Sequence, residues 1–256
     1  MSIFISIASY RDNHITNTIK SIYSNASEPE RIFCGVFLQI EDEDIKETFE
    51  NVRVLKTHYK NAKGPLWARQ TILKKLYNGE DYYLQIDSHT IFKKNWDTTI
   101  LNDLKYTYFP QMSIISFYPP SFNNICLTLI PHMCSKTAYE RFPDIDKYEA
   151  IYKKSNGIPQ KIPYLAAGFL FGHKNILQFY PNEEIEYLFQ GEEMLLVERM
   201  AKGGVEFYAP TNNLCGHLYY RNNEPKIWFD IEKWDEKEFN AITQLLSILR
   251  NGKKTL

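Results

Sequence analysis

An α/β fold with a central, mainly parallel sheet covered by helices on both sides is the architecture this chain predicts. Three observations carry it. Strand-like apolar runs alternate with helix-period segments through the first half. The run Ile32 to Gln39 is apolar on both faces, which suits a strand in the middle of a covered sheet. And 256 residues suffice for one large domain with a substantial core, so a single domain over 1–256 is expected.

Ile3 to Ala8 reads as the first strand, followed by a turn over Ser9-Tyr10-Arg11-Asp12-Asn13. Ile15, Ile19, Ile22 and Tyr23 then recur at helical spacing. The second strand places Cys34, Val36 and Leu38 on one face and Phe33, Gly35 and Phe37 on the other. Glu41-Asp42-Glu43-Asp44 reads as a solvated loop. Val52 to Leu55 is a short third strand. Gly64-Pro65 opens a helix carrying Leu66, Ala68, Ile72, Leu73 and Leu76, and Asn78-Gly79 stops it. Tyr82 to Ile86 is the fourth strand and Ser113 to Phe117 another. Prolines punctuate the stretch 119–160, which reads as loop-rich and as an acceptor-side or lid region. Phe207-Tyr208-Ala209-Pro210 contains a buried strand. Phe239, Ile242, Leu245, Leu246 and Leu249 form the apolar stripe of a closing helix.

Composition excludes several classes. Thirty Lys and Arg stand against 31 Asp and Glu, without the basic excess of a general nucleic-acid binder. No apolar run is long enough for a membrane span, and the apolar start meets Arg11 and Asp12 too soon for a signal peptide. Cys34, Cys126, Cys134 and Cys215 form no C-x-x-C pair, so free thiols and a cytoplasmic setting are expected. The 18 Tyr and 16 Phe suit both a core and a cleft that stacks on sugar or base rings.

The chemistry concentrates in few places. Asp87-Ser88-His89 ends the fourth strand, where period-two alternation puts Asp87 and His89 on one face. That end of an open α/β sheet is where ligands bind. A second imidazole, His217, lies in Cys215-Gly216-His217-Leu218-Tyr219. Carboxylate and neutral imidazole together suit a first-row divalent metal. Gln190-Gly191-Glu192-Glu193 opens a helix, where carboxylates are favoured by the helix dipole and can also orient sugar hydroxyls. Arg69 lies on the helix after Gly64-Pro65; it reads as a solvated or salt-bridged residue, or as a phosphate contact if that helix faces the cleft. His14, His58, His132 and His173 read as ordinary surface or core residues, and Trp67 as a packing residue or a stacking platform.

The chain resembles the GT-A glycosyltransferases typified by the cytoplasmic hydroxyproline N-acetylglucosaminyltransferases. The resemblance runs in order through Phe4 to Asp12, Gly64 to Arg69, Asp81 to His89, Ala166-Ala167-Gly168-Phe169, Gly191-Glu192-Glu193 and Phe207 to Thr211. It implies a GT-A fold, a UDP-sugar donor such as UDP-GlcNAc, a Mn2+ (or Mg2+) ion and transfer with retention. A more distant similarity to the polypeptide N-acetylgalactosaminyltransferases implies Asp87, His89 and His217 as the metal ligands, with Glu192 on the donor sugar. Those enzymes carry an Arg three residues after the late His. Here Tyr220 stands there and Arg221 comes one later. By resemblance the donor-binding set is Ser9, Tyr10, Arg11, Arg69, Asp87, Ser88, Gly168 and Arg221, and the catalytic candidates are Glu192 and Glu193.

The expected activity is metal-dependent transfer of N-acetylglucosamine from UDP-GlcNAc to a hydroxyl of a protein or glycan. Three alternatives stay open. One is another UDP-sugar on a polysaccharide or glycolipid, which the short basic tail Arg250-Asn251-Gly252-Lys253-Lys254 would help reach. The others are a metal-dependent hydrolase and a non-catalytic nucleotide-sugar-binding protein.

Overall fold

The computed structural model describes residues 1–41, 49–221 and 224–251. The elements are β1 (Ile3–Tyr10), α1 (Ile15–Asn25), β2 (Ile32–Ile40), β3 (Val52–His58), α2 (Pro65–Leu76), β4 (Tyr82–Asp87), β5 (Thr90–Phe92), α3 (Trp96–Lys105) and β6 (Ser113–Ser116). They continue with β7 (Leu129–Ala138), β8 (Asp146–Lys154), β9 (Gln160–Ile162), β10 (Phe169–His173), α4 (Glu192–Lys202), β11 (Glu206–Ala209), β12 (Cys215–His217), α5 (Ile227–Asp230) and α6 (Trp234–Asn251).

Eight strands form the main sheet in the order β3-β2-β1-β4-β10-β6-β11-β9. Parallel pairing joins β3, β2, β1 and β4, and also β6 and β11. The returning strands β10 and β9 pair antiparallel. The expected mainly parallel, helix-covered sheet is therefore present.

Alternation along the strands builds two cores, one on each face. Ile3, Ile5 and Ile7 of β1 join Ile15, Ile19 and Ile22 of α1 and Trp96 and Ile100 of α3. Phe4 points the other way, into a core with Leu66 and Ile72 of α2, Leu195 of α4 and Leu245 of α6. Gly35 makes that packing possible, because a Cβ there would lie 2.3 Å from the Phe4 ring.

The structure corrects several expectations. The stretch 119–160 is not mainly loop, since β7 and β8 pair as an antiparallel hairpin. Its alternation is hidden because Ser135 to Ala138 and Ile151 to Lys154 face solvent, leaving few buried positions to mark the period. β4 ends at Asp87, so His89 joins its partner through a bend at Ser88 rather than along the strand. Cys215-Gly216-His217 is itself a strand, paired with β5. Phe239 is exposed; the buried stripe of α6 runs through Trp234, Ala241, Ile242, Leu245 and Leu249. Trp67 packs against Phe37 with ring centroids 5.2 Å apart. Asp42 to Asp44 and Gly252 to Lys254 lie outside the described residues.

Candidate active site

The carboxyl ends of β1 and β4 lie side by side, with Ala8 in register with Asp87. Two hollows meet there. A recess of about 130 Å³ is lined by residues including Tyr10, Gln39, Ser88, His89 and Arg221. A cleft of about 410 Å³ is lined by residues including Tyr118, Tyr139, Gly168, Glu192, Glu193, His217 and Tyr219. Pro65, Arg69, Asp87 and Phe189 belong to both.

Asp87, His89 and His217 converge at this seam, each with a ligand atom within 4.8 Å of the others. His217 Nε2 lies 3.1 Å from Asp87 Oδ2. Neighbouring donors around an octahedral ion with bonds of about 2.1 Å stand about 3 Å apart, so this spacing fits a divalent cation. His217 Nδ1 is buried with no hydrogen-bond partner among the described residues. Burial pushes the His89 imidazole down, toward its neutral, ligating form. Burial opposes ionisation of Asp87, but His217, Arg69 and His89 outweigh it and hold the carboxyl well below its usual range.

Around these groups lies a charged frame. Arg69 is buried on α2, donates to Asp87 Oδ1 at 2.9 Å and pairs with Glu192. Glu192 starts α4 behind Gly191, whose φ of 95° favours glycine. Burial raises the Glu192 carboxyl against the pull of Arg69. Glu193 accepts from Tyr118 Oη at 2.6 Å and from the Ala167 amide at 2.9 Å. Burial pushes it up to about 7.

Asp12, just beyond β1, is the buried hub on the recess side. Its Oδ2 lies 2.7 Å from His89 Nδ1 and 3.3 Å from an Arg221 guanidinium nitrogen. Burial opposes its ionisation, yet His89, Ser88 and the His14 amide bring its carboxyl well below the usual range. Asp12, His14 and Glu224 also approach within 4.8 Å of one another. Arg221 already supplies the positive charge there, 3.0 Å from Glu224.

A profile of the glycosyltransferase (GlcNAc) family matches residues 2–48 and 44–256. The chain belongs to this GlcNAc glycosyltransferase family. Staphylococcus aureus TarS 1–349 is similar in structure, with a TM-score of 0.57 at 12% identity, over 85% of this chain and 60% of that one. TarS 1–349 in complex with UDP-GlcNAc gives 0.63 at 12% identity, over 94% and 64%. These likenesses show the GT-A fold. The chain spans less than two thirds of each TarS structure. No curated protein matches it in sequence.

The residues expected from sequence fall into three groups. Asp87, His89, His217, Arg69, Gly168, Glu192 and Glu193 meet at the seam and cleft, and Tyr10, Ser88 and Arg221 at the recess. Ser9 is fully buried and its hydroxyl has no hydrogen-bond partner among the described residues. Arg11 pairs with Asp230 at 3.2 Å and Glu41 at 2.8 Å, and lines neither hollow.

Gln39, Tyr118, Tyr139, Phe189 and Tyr219 were not singled out from the sequence as site residues, and Asp12 was read with Tyr10 and Arg11 as a first turn or a nucleoside contact rather than as a partner of His89. Asp12 carried a usable signal: an acidic residue just past the first strand, beside the metal motif's strand. The aromatics carried none, because Tyr and Phe are too abundant in this chain. Among the histidines read as ordinary, His14 pairs with Glu224 at 2.7 Å, beside the recess. His132 is buried and bonds the Ile130 carbonyl. No helix among the described residues is long and apolar enough to cross a membrane.

Proposed function

We propose that this protein transfers N-acetylglucosamine from UDP-GlcNAc to a hydroxyl acceptor, with retention, at a divalent metal held by Asp87, His89 and His217. The observation that carries this reading is the convergence of these ligands at the seam between the recess and the cleft. A diphosphate bridging the two hollows would lie at that seam. The UDP-GlcNAc complex of the similar TarS structure supports the choice of donor.

The recess suits the nucleoside, with the Tyr10 ring and the Gln39 amide on its walls and Ser88 at its base. Arg221, at the recess, supplies positive charge for the phosphates. Arg69 acts at one remove, fixing Asp87 and Glu192 relative to each other. Glu192 faces the cleft where the sugar would extend and orients its hydroxyls by charge-assisted hydrogen bonds. Glu193 holds Tyr118 and the Ala167 amide, and so shapes the wall next to Gly168. The acceptor enters between Tyr118, Tyr139 and Tyr219. A bound Mn2+ or Mg2+ ion would neutralise the charge that develops on the departing diphosphate.

Glu193 is held by Tyr118 and the Ala167 amide, and Glu192 by Arg69 through Oε2, while Glu192 Oε1 is buried with no hydrogen-bond partner among the described residues. In the same-face reaction proposed here, the departing phosphate oxygen takes the acceptor's proton. A panel of UDP-sugars, each with and without Mn2+, tests the assignment. UDP-GlcNAc should be cleaved fastest and only with the ion. A preference for another donor, or cleavage undiminished by chelator, overturns it. Proton NMR of the transferred sugar then reads its anomeric configuration.

A further inference from the structure

We infer that Asp12 is a positioning residue for the metal site, fixing the tautomer and orientation of His89. The inference rests on the metal reading above and extends it to a residue with no ligand role of its own.

The geometry is specific. The Asp12 side chain is fully buried, and His89 Nδ1 lies 2.7 Å from its Oδ2. An ionised carboxylate only accepts hydrogen bonds, so the proton must sit on Nδ1. The lone pair is then left on Nε2, which has no hydrogen-bond partner among the described residues and is available to a cation. Carboxylate partners of this kind set the tautomer and raise the basicity of metal-binding imidazoles.

Asp12 is itself held in place before it acts on His89. Its Oδ1 accepts from the His14 amide at 2.8 Å, where α1 begins. Its Oδ2 accepts from Ser88 Oγ at 2.5 Å and from Arg221 at 3.3 Å. These donors come from three places in the chain: the start of α1, the bend after β4, and the segment after β12. The carboxylate therefore cannot turn away from the imidazole without breaking several hydrogen bonds. It also links a metal ligand to Arg221, a basic residue of the recess.

The test is binding of Mn2+ alone, followed through the electron paramagnetic resonance signal of the free ion. The samples are the parent, Asp12→Asn and Asp12→Ala. Removal of such a partner typically weakens metal binding about 10- to 100-fold, and that loss is expected in both variants. Asn has one acceptor oxygen for four donors, so its amide group must oppose at least one of them. Variants that bind Mn2+ as tightly as the parent overturn the positioning role and leave the metal site standing. A parent that binds no Mn2+ overturns the metal site itself, and the positioning role with it. Should both variants unfold, the parent decides alone. Long-range 1H–15N correlation on metal-free protein should show His89 protonated at Nδ1, and a proton on Nε2 would refute the inference.

Discussion

Gly168 lies so close to Asp87 that a Cβ on it would stand 2.9 Å from Oδ2. The contact is held from both sides. Gln85 Nε2 donates to the Ala167 carbonyl at 2.7 Å, while Glu193 accepts from the Ala167 amide at 2.9 Å. The Ala167 peptide is thus clamped between β4 and α4, and Gly168 cannot retreat from the carboxylate.

Gly168→Ala should therefore push Asp87 rather than the backbone. The φ at this position is not in the left-handed region, so alanine adds no backbone strain. Mn2+-dependent UDP binding should fall by roughly tenfold or more, about 1.4 kcal/mol. The melting temperature should move little. Calorimetry on parent and variant checks this, and unchanged UDP affinity would show that the cleft wall yields instead of the carboxylate.

Substituting Asp87, His89 or His217 with alanine should abolish Mn2+-dependent UDP binding with the fold kept. His217→Ala is the most telling of the three. His217 comes from β12, far in sequence from the other two, and its Nδ1 is buried without a hydrogen-bond partner among the described residues. Native-like binding of Mn2+ and UDP by His217→Ala would remove it from the ligand set.

Glu192→Gln has two expected consequences. Arg69 is buried and divides its charge between Glu192 and Asp87, so neutralising one partner leaves the guanidinium under-compensated. Breaking a buried pair costs about 3–5 kcal/mol, and glutamine, which keeps an acceptor oxygen, should fall toward the lower figure. That exceeds the roughly 0.3–1 kcal/mol expected from the helix dipole alone. Turnover should fall much more than UDP affinity, because UDP lacks the sugar that Glu192 would hold. Urea melts read the first effect and saturating UDP-GlcNAc kinetics the second. Equal turnover of variant and parent would take Glu192 out of the site.

The first half of the fold was legible because its strands are buried on both faces and its helices carry regular apolar spacing. The hairpin of β7 and β8 was not, because Ser135 to Ala138 and Ile151 to Lys154 face water and break the period. α3 was missed for a related reason: its core contacts rest on Trp96, Ile100 and Leu104, with polar residues between them. Asp87, His89 and His217 were legible as chemistry, yet their convergence depends on the pairing of β12 with β5, which no local pattern reveals. Asp12 read as a turn residue or a nucleoside contact, not as a partner of His89, because burial decides its role, and burial at a strand end is a tertiary property.

Glu193 should give the protein a pH-dependent weakness that glutamine removes. Its carboxyl moves from an ordinary value of 4.5 up to about 7 through burial, although Tyr118 and the Ala167 amide pull the other way. Between those two values the folded protein holds a proton that the unfolded chain has released. Stability then falls as pH rises through that window, and levels off above about 7. Glu193→Gln keeps an acceptor for Tyr118 or Ala167 but cannot ionise, so it lacks this slope. The melting temperature of the variant relative to the parent should therefore increase from pH 5 to pH 8. Thermal melts at closely spaced pH values make the comparison, and the parent-to-variant difference cancels titrations that the two share. A difference that stays flat across the range would mean that Glu193 is ionised throughout, with Tyr118 and Ala167 enough to hold its charge against burial.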